Sequence, residues 1–201
     1  MNIEQAIEII NDQVDKTKYE AMINTASVIT KLLEEYEIIP IIVGGLSVEI
    51  YTENDYTTRD IDFVSERHDL VENILLQLRF KKHGKVYYHD LIEVSVEIPS
   101  NHLAGSYEKV VKASITDDRY VYIISIEDII LDRLRAYTHW TSAQDGEWGF
   151  ELLARNSDEV DKVYLYNHIE HPNEKVNLDE WYDILERESN SEIEVAAAEE
   201  N

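Results

Sequence analysis

One stretch constrains the fold more than any other. An apolar, β-branched run, Ile38 to Val43, leads into Gly44-Gly45-Leu46-Ser47, and Asp60-Ile61-Asp62-Phe63 follows after a spacer. The run reads as a buried strand with Pro40 at its start, where a missing N–H is tolerated. Two glycines then turn the chain, and Leu46 to Tyr51 reads as a short helix. Glycine permits a sharp turn and lets backbone amides approach a ligand closely. A helix beginning there aims N–H groups and its positive dipole end at whatever lies over the turn, which suits a phosphate. Ser47 adds a hydroxyl near the helix start.

The second strand carries Asp60 and Asp62. Side chains two apart on a strand point the same way, so the carboxylates share one face while Ile61 and Phe63 enter a core. Adjacent carboxylates repel each other. A hard divalent cation between them relieves that repulsion, and Mg²⁺ favours such oxygen ligands alongside substrate phosphates. The chain therefore offers a phosphate cradle and a metal pair in sequence order. A glycine pair or an Asp-x-Asp alone carries much less weight than the two together.

Gly44-Gly45, a helix, then Thr58-Arg59-Asp60-Ile61-Asp62 resembles the signature of the nucleotidyltransferase superfamily, which shares the DNA polymerase β palm. The spacer from Leu46 to Arg59 is similar to that of the bacterial branch containing AbiEii-type abortive-infection toxins and many uncharacterised nucleotidyltransferases. The resemblance implies an α+β fold: a small mixed sheet with helices, then a C-terminal helical extension. It also implies a third carboxylate on the next core strand, acting as base toward an acceptor hydroxyl or helping to hold a second Mg²⁺. Leu91 to Ile98 alternates as such a strand, with Glu93, Ser95 and Glu97 on one face. Glu97, in Val96-Glu97-Ile98-Pro99, matches the segment best, and Glu93 is the alternative.

A second match lies further on. Asp132-Arg133-Leu134-x-Ala136, with His139-Trp140 and Gln144 beyond, resembles a helical motif of the same branch. There a basic residue contacts the nucleoside triphosphate, and an acidic residue follows on the next helix. Arg133 takes the basic place and Asp145 the acidic one. Many relatives use lysine, but the planar guanidinium forks onto phosphate. An ion pair of Arg133 with Asp132 or Glu127 is the plainer alternative.

The rest of the chain divides into a core with N-terminal helices over 1–124, a helical extension over 125–188 and an acidic tail over 189–201 that reads as disordered. Helical spacing predicts helices over Ile3 to Ile10, Tyr19 to Glu35, Asp69 to Leu78, Ile126 to Trp140, Glu147 to Arg155, Asp158 to Asn167 and Leu178 to Glu188. A hairpin around Gly84 and a strand over Tyr120 to Ile124 complete the pattern. No two of the seven histidines have the i, i+4 spacing of a zinc motif, and there is no cysteine to ligate zinc or act as nucleophile. No apolar run approaches a membrane span, and no signal peptide is evident, so a cytoplasmic protein is expected.

The implied reaction is transfer of a nucleoside monophosphate from a nucleoside triphosphate, with Mg²⁺ on Asp60, Asp62 and Glu97. The formal net charge of −24 opposes a broad grip on nucleic acid, which needs Lys and Arg on phosphates. Arg79, Lys81, Lys82 and Lys85 form the one compact basic group. A transfer RNA acceptor, as for the related toxins, a cationic small molecule, as for antibiotic nucleotidyltransferases, and a protein acceptor all remain open. So does a non-catalytic, antitoxin-like partner that kept the fold.

Overall fold

The computed structural model describes the backbone of residues 1–199 and the side chains of residues 1–189. It divides into two compact units, Met1–Ser125 and Ile126–Asn201.

The first unit opens with α1 (Ile3–Asn11) and α2 (Lys18–Leu33). Both begin with capping boxes, Asn2 with Gln5 and Thr17 with Glu20, which satisfy N–H groups that a helix start leaves over. Then come β1 (Ile41–Val43), α3 (Gly44–Tyr51), β2 (Asp60–Val64) and α4 (His68–Gln77). Next are β3 (Lys81–His83), β4 (Val86–His89), β5 (Val94–Ser100), β6 (Val111–Ser114) and β7 (Tyr120–Ile123). The strands form one sheet in the order β3-β4-β5-β2-β1-β7-β6. It is mixed: β1 runs antiparallel to β2 and parallel to β7, and β2 runs parallel to β5.

Ile42, Ile61, Phe63, Val94, Val96, Val121 and Ile123 are all but fully buried. α2 packs against β2, β5 and β7, and its own Met22, Ala26, Val28, Ile29 and Leu33 are sealed from solvent. The alternating residues, Val43, Asp60, Asp62, Ser95, Glu97, Tyr120 and Tyr122, are only half-buried. One apolar face and one mixed face is the signature of a sheet covered by helices on its core side.

Several boundaries differ from the sequence reading. β1 spans only Ile41–Val43, and its helix starts at Gly44 itself. Pro99 lies inside β5 rather than ending it. Asp62 pairs with Glu97 but Val64 with Ser100, so β5 carries one extra residue there. A bulge tolerates a residue that cannot donate to the ladder. β6 was not foreseen, because Val111-Lys112-Ala113-Ser114 is short and weakly alternating, and pairing with β7 defines it.

The second unit contains α5 (Ile126–Trp140), α6 (Ala143–Arg155), α7 (Lys162–Asn167) and α8 (Pro172–Glu199). α5 packs chiefly on α6. Gly149 of α6 permits this, since a Cβ there would stand 2.5 Å from the Trp181 ring and 3.0 Å from Arg133 Cβ. Of the tail that reads as disordered, 189–201, the backbone to Glu199 continues α8, and the side chains from 190 on lie outside the described residues. Alanine and glutamate, frequent there, are strong helix formers. The α+β class expected from the sequence, a mixed sheet with helices followed by further helices, is the class observed. Among the described residues no helix is long and apolar enough to cross a membrane.

Candidate functional site

Gly44 and Gly45 sit where β1 becomes α3, and both press against the strand that carries the aspartates. Gly44 has φ +61°, and a Cβ on it would fall on the carboxylate of Asp62. A Cβ on Gly45 would stand 2.5 Å from Thr58 Oγ1. That Thr58 hydroxyl donates a 2.8 Å hydrogen bond to Asp60 Oδ1. Gly44 thus leaves the space that the Asp62 carboxylate fills, and Gly45 the space that Thr58 fills just before the strand. Val43 occupies the N-cap position of α3 with no side-chain cap hydrogen bond. Val43 itself thus offers the first turn no side-chain cap, and a helix start of this kind suits an anion.

The register of the sheet sets the rest. Val43, Asp62 and Glu97 lie opposite one another across β1, β2 and β5, and Asp60 lies opposite Ser95. Residues in register on neighbouring strands share a face, so Glu97 joins Asp60 and Asp62 on the half-buried side. Glu93 does not: it precedes β5, has φ +55°, is exposed, and its carbonyl accepts a hydrogen bond from Lys18 Nζ. The geometry separates the two acidic candidates that alternation alone left together.

Ser47 stands differently from its sequence expectation. It is fully buried, and its hydroxyl donates a 2.7 Å hydrogen bond to Gly44 O. The side chain braces the first turn of α3 from within. Behind it, Glu49 is 4% exposed and accepts a 3.2 Å hydrogen bond from Thr58 N. Burial pushes the Glu49 carboxyl up, and the Thr58 N–H opposes that only in part. Nothing local in the sequence marks Glu49, because its role is a contact nine residues away, inside an apolar helix.

Arg133 and Asp145 belong to the second unit. Arg133 Nη1 lies 2.5 Å from Asp145 Oδ1, and Nη2 lies 3.2 Å from Asp132 Oδ2. The plainer ion pair with Asp132 is therefore present, and Asp145, read from the sequence as the acidic residue of the motif, pairs with the same guanidinium. Glu127 instead accepts from Asp161 N. Of the basic group, Lys81 pairs with Asp90 and Lys82 with Glu72. His139 bonds Glu174 at 2.7 Å, and His168 Nδ1 lies 2.8 Å from Tyr164 O.

Among the described residues, no three His, Asp or Glu side chains form a group that could hold a metal ion by themselves. Mg²⁺ is commonly held by one or two carboxylates with substrate phosphates and water completing its shell. Asp60 and Asp62, beside an anion-suited helix start, fit a cation that arrives with a phosphate ligand better than a cation alone.

Residues 22–82 match the family model described as "Nucleotidyl transferase of unknown function (DUF2204)". The match spans less than a third of the chain and takes in Gly44, Gly45, Asp60 and Asp62, but neither Glu97 nor Arg133. No curated protein matches. Among solved structures the chain is similar to the solution structure of the antibiotic-resistance factor ANT(2'')-Ia, at 15% identity and TM-score 0.40, covering 86% of this chain and 92% of that one.

Proposed function

We propose that the chain is a Mg²⁺-dependent nucleotidyltransferase whose centre is the junction of the glycine turn with the aspartate strand. One observation carries this reading: the start of α3 meets the Asp62 carboxylate with no room for a Cβ on Gly44, and Gly45 meets Thr58, whose hydroxyl holds Asp60. The matched family segment, 22–82, supports it independently.

In this reading the N–H groups of the α3 start, from Gly44 and Gly45, hold the donor's terminal phosphates. Ser47 keeps that turn in shape through its bond to Gly44 O. Asp60 and Asp62 hold the cation, with Thr58 orienting Asp60. When bound, Mg²⁺ supplies neutralisation of charge on the phosphates and alignment of attacking and leaving oxygens. Glu97 takes the acceptor hydroxyl's proton as the acceptor oxygen bonds to the α-phosphorus. The bond from that phosphorus to the bridging oxygen breaks, and pyrophosphate leaves. Within the second unit, Asp145 holds the Arg133 guanidinium, to which the resemblance gives a nucleotide-binding role.

The test is transfer itself. Chain is incubated with Mg²⁺ and each α-labelled nucleoside triphosphate, and pyrophosphate release is followed beside thermal unfolding. A midpoint that rises with Mg²⁺ and one nucleotide together, and not in Asp60→Asn/Asp62→Asn, is expected. A ligand at about 100 times its Kd stabilises by about 2.7 kcal/mol. No shift with any nucleotide would leave a non-catalytic partner protein as the better reading.

A further inference from the structure

The face that carries Asp62 and Glu97 continues along the strands into a cavity that the transfer chemistry above does not use. Ile41, Val64 and Tyr122 lie in register across β2, β1 and β7, two residues along from the Val43–Asp62 pair. At the rise of an extended strand that is about 7 Å. These three residues floor a cavity of about 350 Å³, with Tyr107 on its wall. The volume lies within the range of small-molecule sites.

Its polar groups are distinctive. Ser65 lines the cavity, is only 2% exposed, and has a hydroxyl with no hydrogen-bond partner among the described residues. Native proteins rarely leave such a group unpaired, so each case calls for a missing partner. Glu37 and Glu66 stand on the rim, exposed, with no ion-pair partner among the described residues. Arg67, the one cation of the lining, is held by Asp69 through two hydrogen bonds of 2.9 and 2.8 Å. Lys112 is outside the lining, its ammonium 3.3 Å from the centre of the Tyr120 ring. The cavity thus combines apolar and aromatic walls, one buried hydroxyl and a net negative rim.

We infer that this cavity is the acceptor subsite and takes a hydroxyl-bearing organic cation with a flat, apolar body. The acceptor role rests on the transfer reading; the binding of the cation does not. Tyrosine faces and carboxylates both attract an ammonium group, whereas an anion meets Glu37 and Glu66. Ser65 gives a fixed partner to one polar group of the ligand. A molecule seated there spans the roughly 7 Å along the strands to Asp62 and brings its hydroxyl to the donor phosphate.

The test uses the full chain and three probes: tyramine, 4-hydroxyphenylacetate, which has the same ring with the opposite charge, and adenosine. Methyl signals of Ile39, Ile41 and Val64 and amide signals of Gly44 and Gly45 are followed by NMR. Saturable methyl shifts with tyramine, weakened roughly tenfold in Glu37→Lys/Glu66→Lys, are expected. Both substituted side chains are exposed, so the fold survives the change. Equal binding of 4-hydroxyphenylacetate, adenosine binding in place of tyramine, or no saturable shift overturns the inference. In the same samples, Mg²⁺ with a nucleoside triphosphate reports on Gly44 and Gly45. Shifts there without tyramine binding sink the acceptor subsite alone, and tyramine binding without those shifts supports the cation site while the donor site fails.

Discussion

Gly44 and Asp62 occupy one another's space: the position of a Cβ on the glycine is already filled by the carboxylate of the aspartate. Gly44 also has φ +61°, in the left-handed region. Gly44→Ala therefore strains the backbone and displaces Asp62 together. A stability loss of about 1–3 kcal/mol is expected from the backbone alone. Urea unfolding measures it, and nucleotide affinity should fall by more than the lost stability explains. A variant as stable and as active as the parent would remove the steric argument.

Asp60→Asn keeps an acceptor for the Thr58 hydroxyl and lowers the negative charge beside Asp62. The unfolding midpoint should hold or rise, while transfer falls by about two orders of magnitude or more, as when one electrostatic stabiliser of a transition state is removed. Pyrophosphate release and calorimetry on the same preparation separate the two. Unchanged turnover would move the chemistry elsewhere.

Glu49 titrates from a buried position, and desolvation raises its carboxyl above the ordinary glutamate value. Its charged form is thus disfavoured by folding. The contribution to stability is greatest below the unfolded value, about 4.3, and is lost as pH rises through the higher folded value. Glu49→Gln retains an oxygen for Thr58 N and no longer titrates. The variant should unfold at higher temperature than the parent at pH 8, with the difference disappearing at pH 4. Parallel pH profiles would show that Glu49 is not the group concerned.

Glu174 behaves oppositely. Burial alone raises its carboxyl, but hydrogen bonds from His139 and from Glu170 N, with the Arg135 charge, outweigh that and leave it lowered. Its contribution is present above the unfolded value of about 4.3 and is lost as pH falls through the lower folded one. Glu174→Gln should cost about 1.5–3 kcal/mol at pH 7, the worth of hydrogen bonds to a charged group. The loss should shrink in acid. Chemical unfolding at pH 7 and pH 3 reads this directly.

The Arg133–Asp145 pair admits a double-mutant cycle. Arg133→Met and Asp145→Asn should couple by about 0.5–3 kcal/mol in stability if the contact is structural. If Arg133 also reaches the nucleotide, Arg133→Met weakens triphosphate binding beyond what Asp145→Asn does. Equal effects on binding would confine Arg133 to the ion pair.

The turn, the acidic strand and most helices were legible because each is written in local chemistry. Gly44-Gly45 after a β-branched run, Asp-x-Asp with Ile61 and Phe63 between, and the capping residues Asn2 and Thr17 act within a few positions along the chain. The long helix Ile126–Trp140 was bounded to the residue for the same reason. β6 and the bulge at Pro99 were not legible, since a short strand exists only through the neighbour it pairs with. The backbone to Glu199 is helical, where low hydrophobicity and charge alone read as disorder and alanine and glutamate as helix.

Residue types and spacing alone determined that two glycines, two aspartates and an alternating acidic strand are present, because side-chain periodicity follows from backbone geometry. Only the tertiary structure decided which of them meet. Register put Glu97, not Glu93, opposite Asp62; burial turned Ser47 inward; and close approach gave Gly44 and Gly45 a steric partner each. The cavity beside Val64 likewise assembles Glu37, Ser65, Tyr107 and Tyr122, which are far apart in the chain. Contacts of that kind depend on how strands align and helices dock, and local sequence carries almost no information about either.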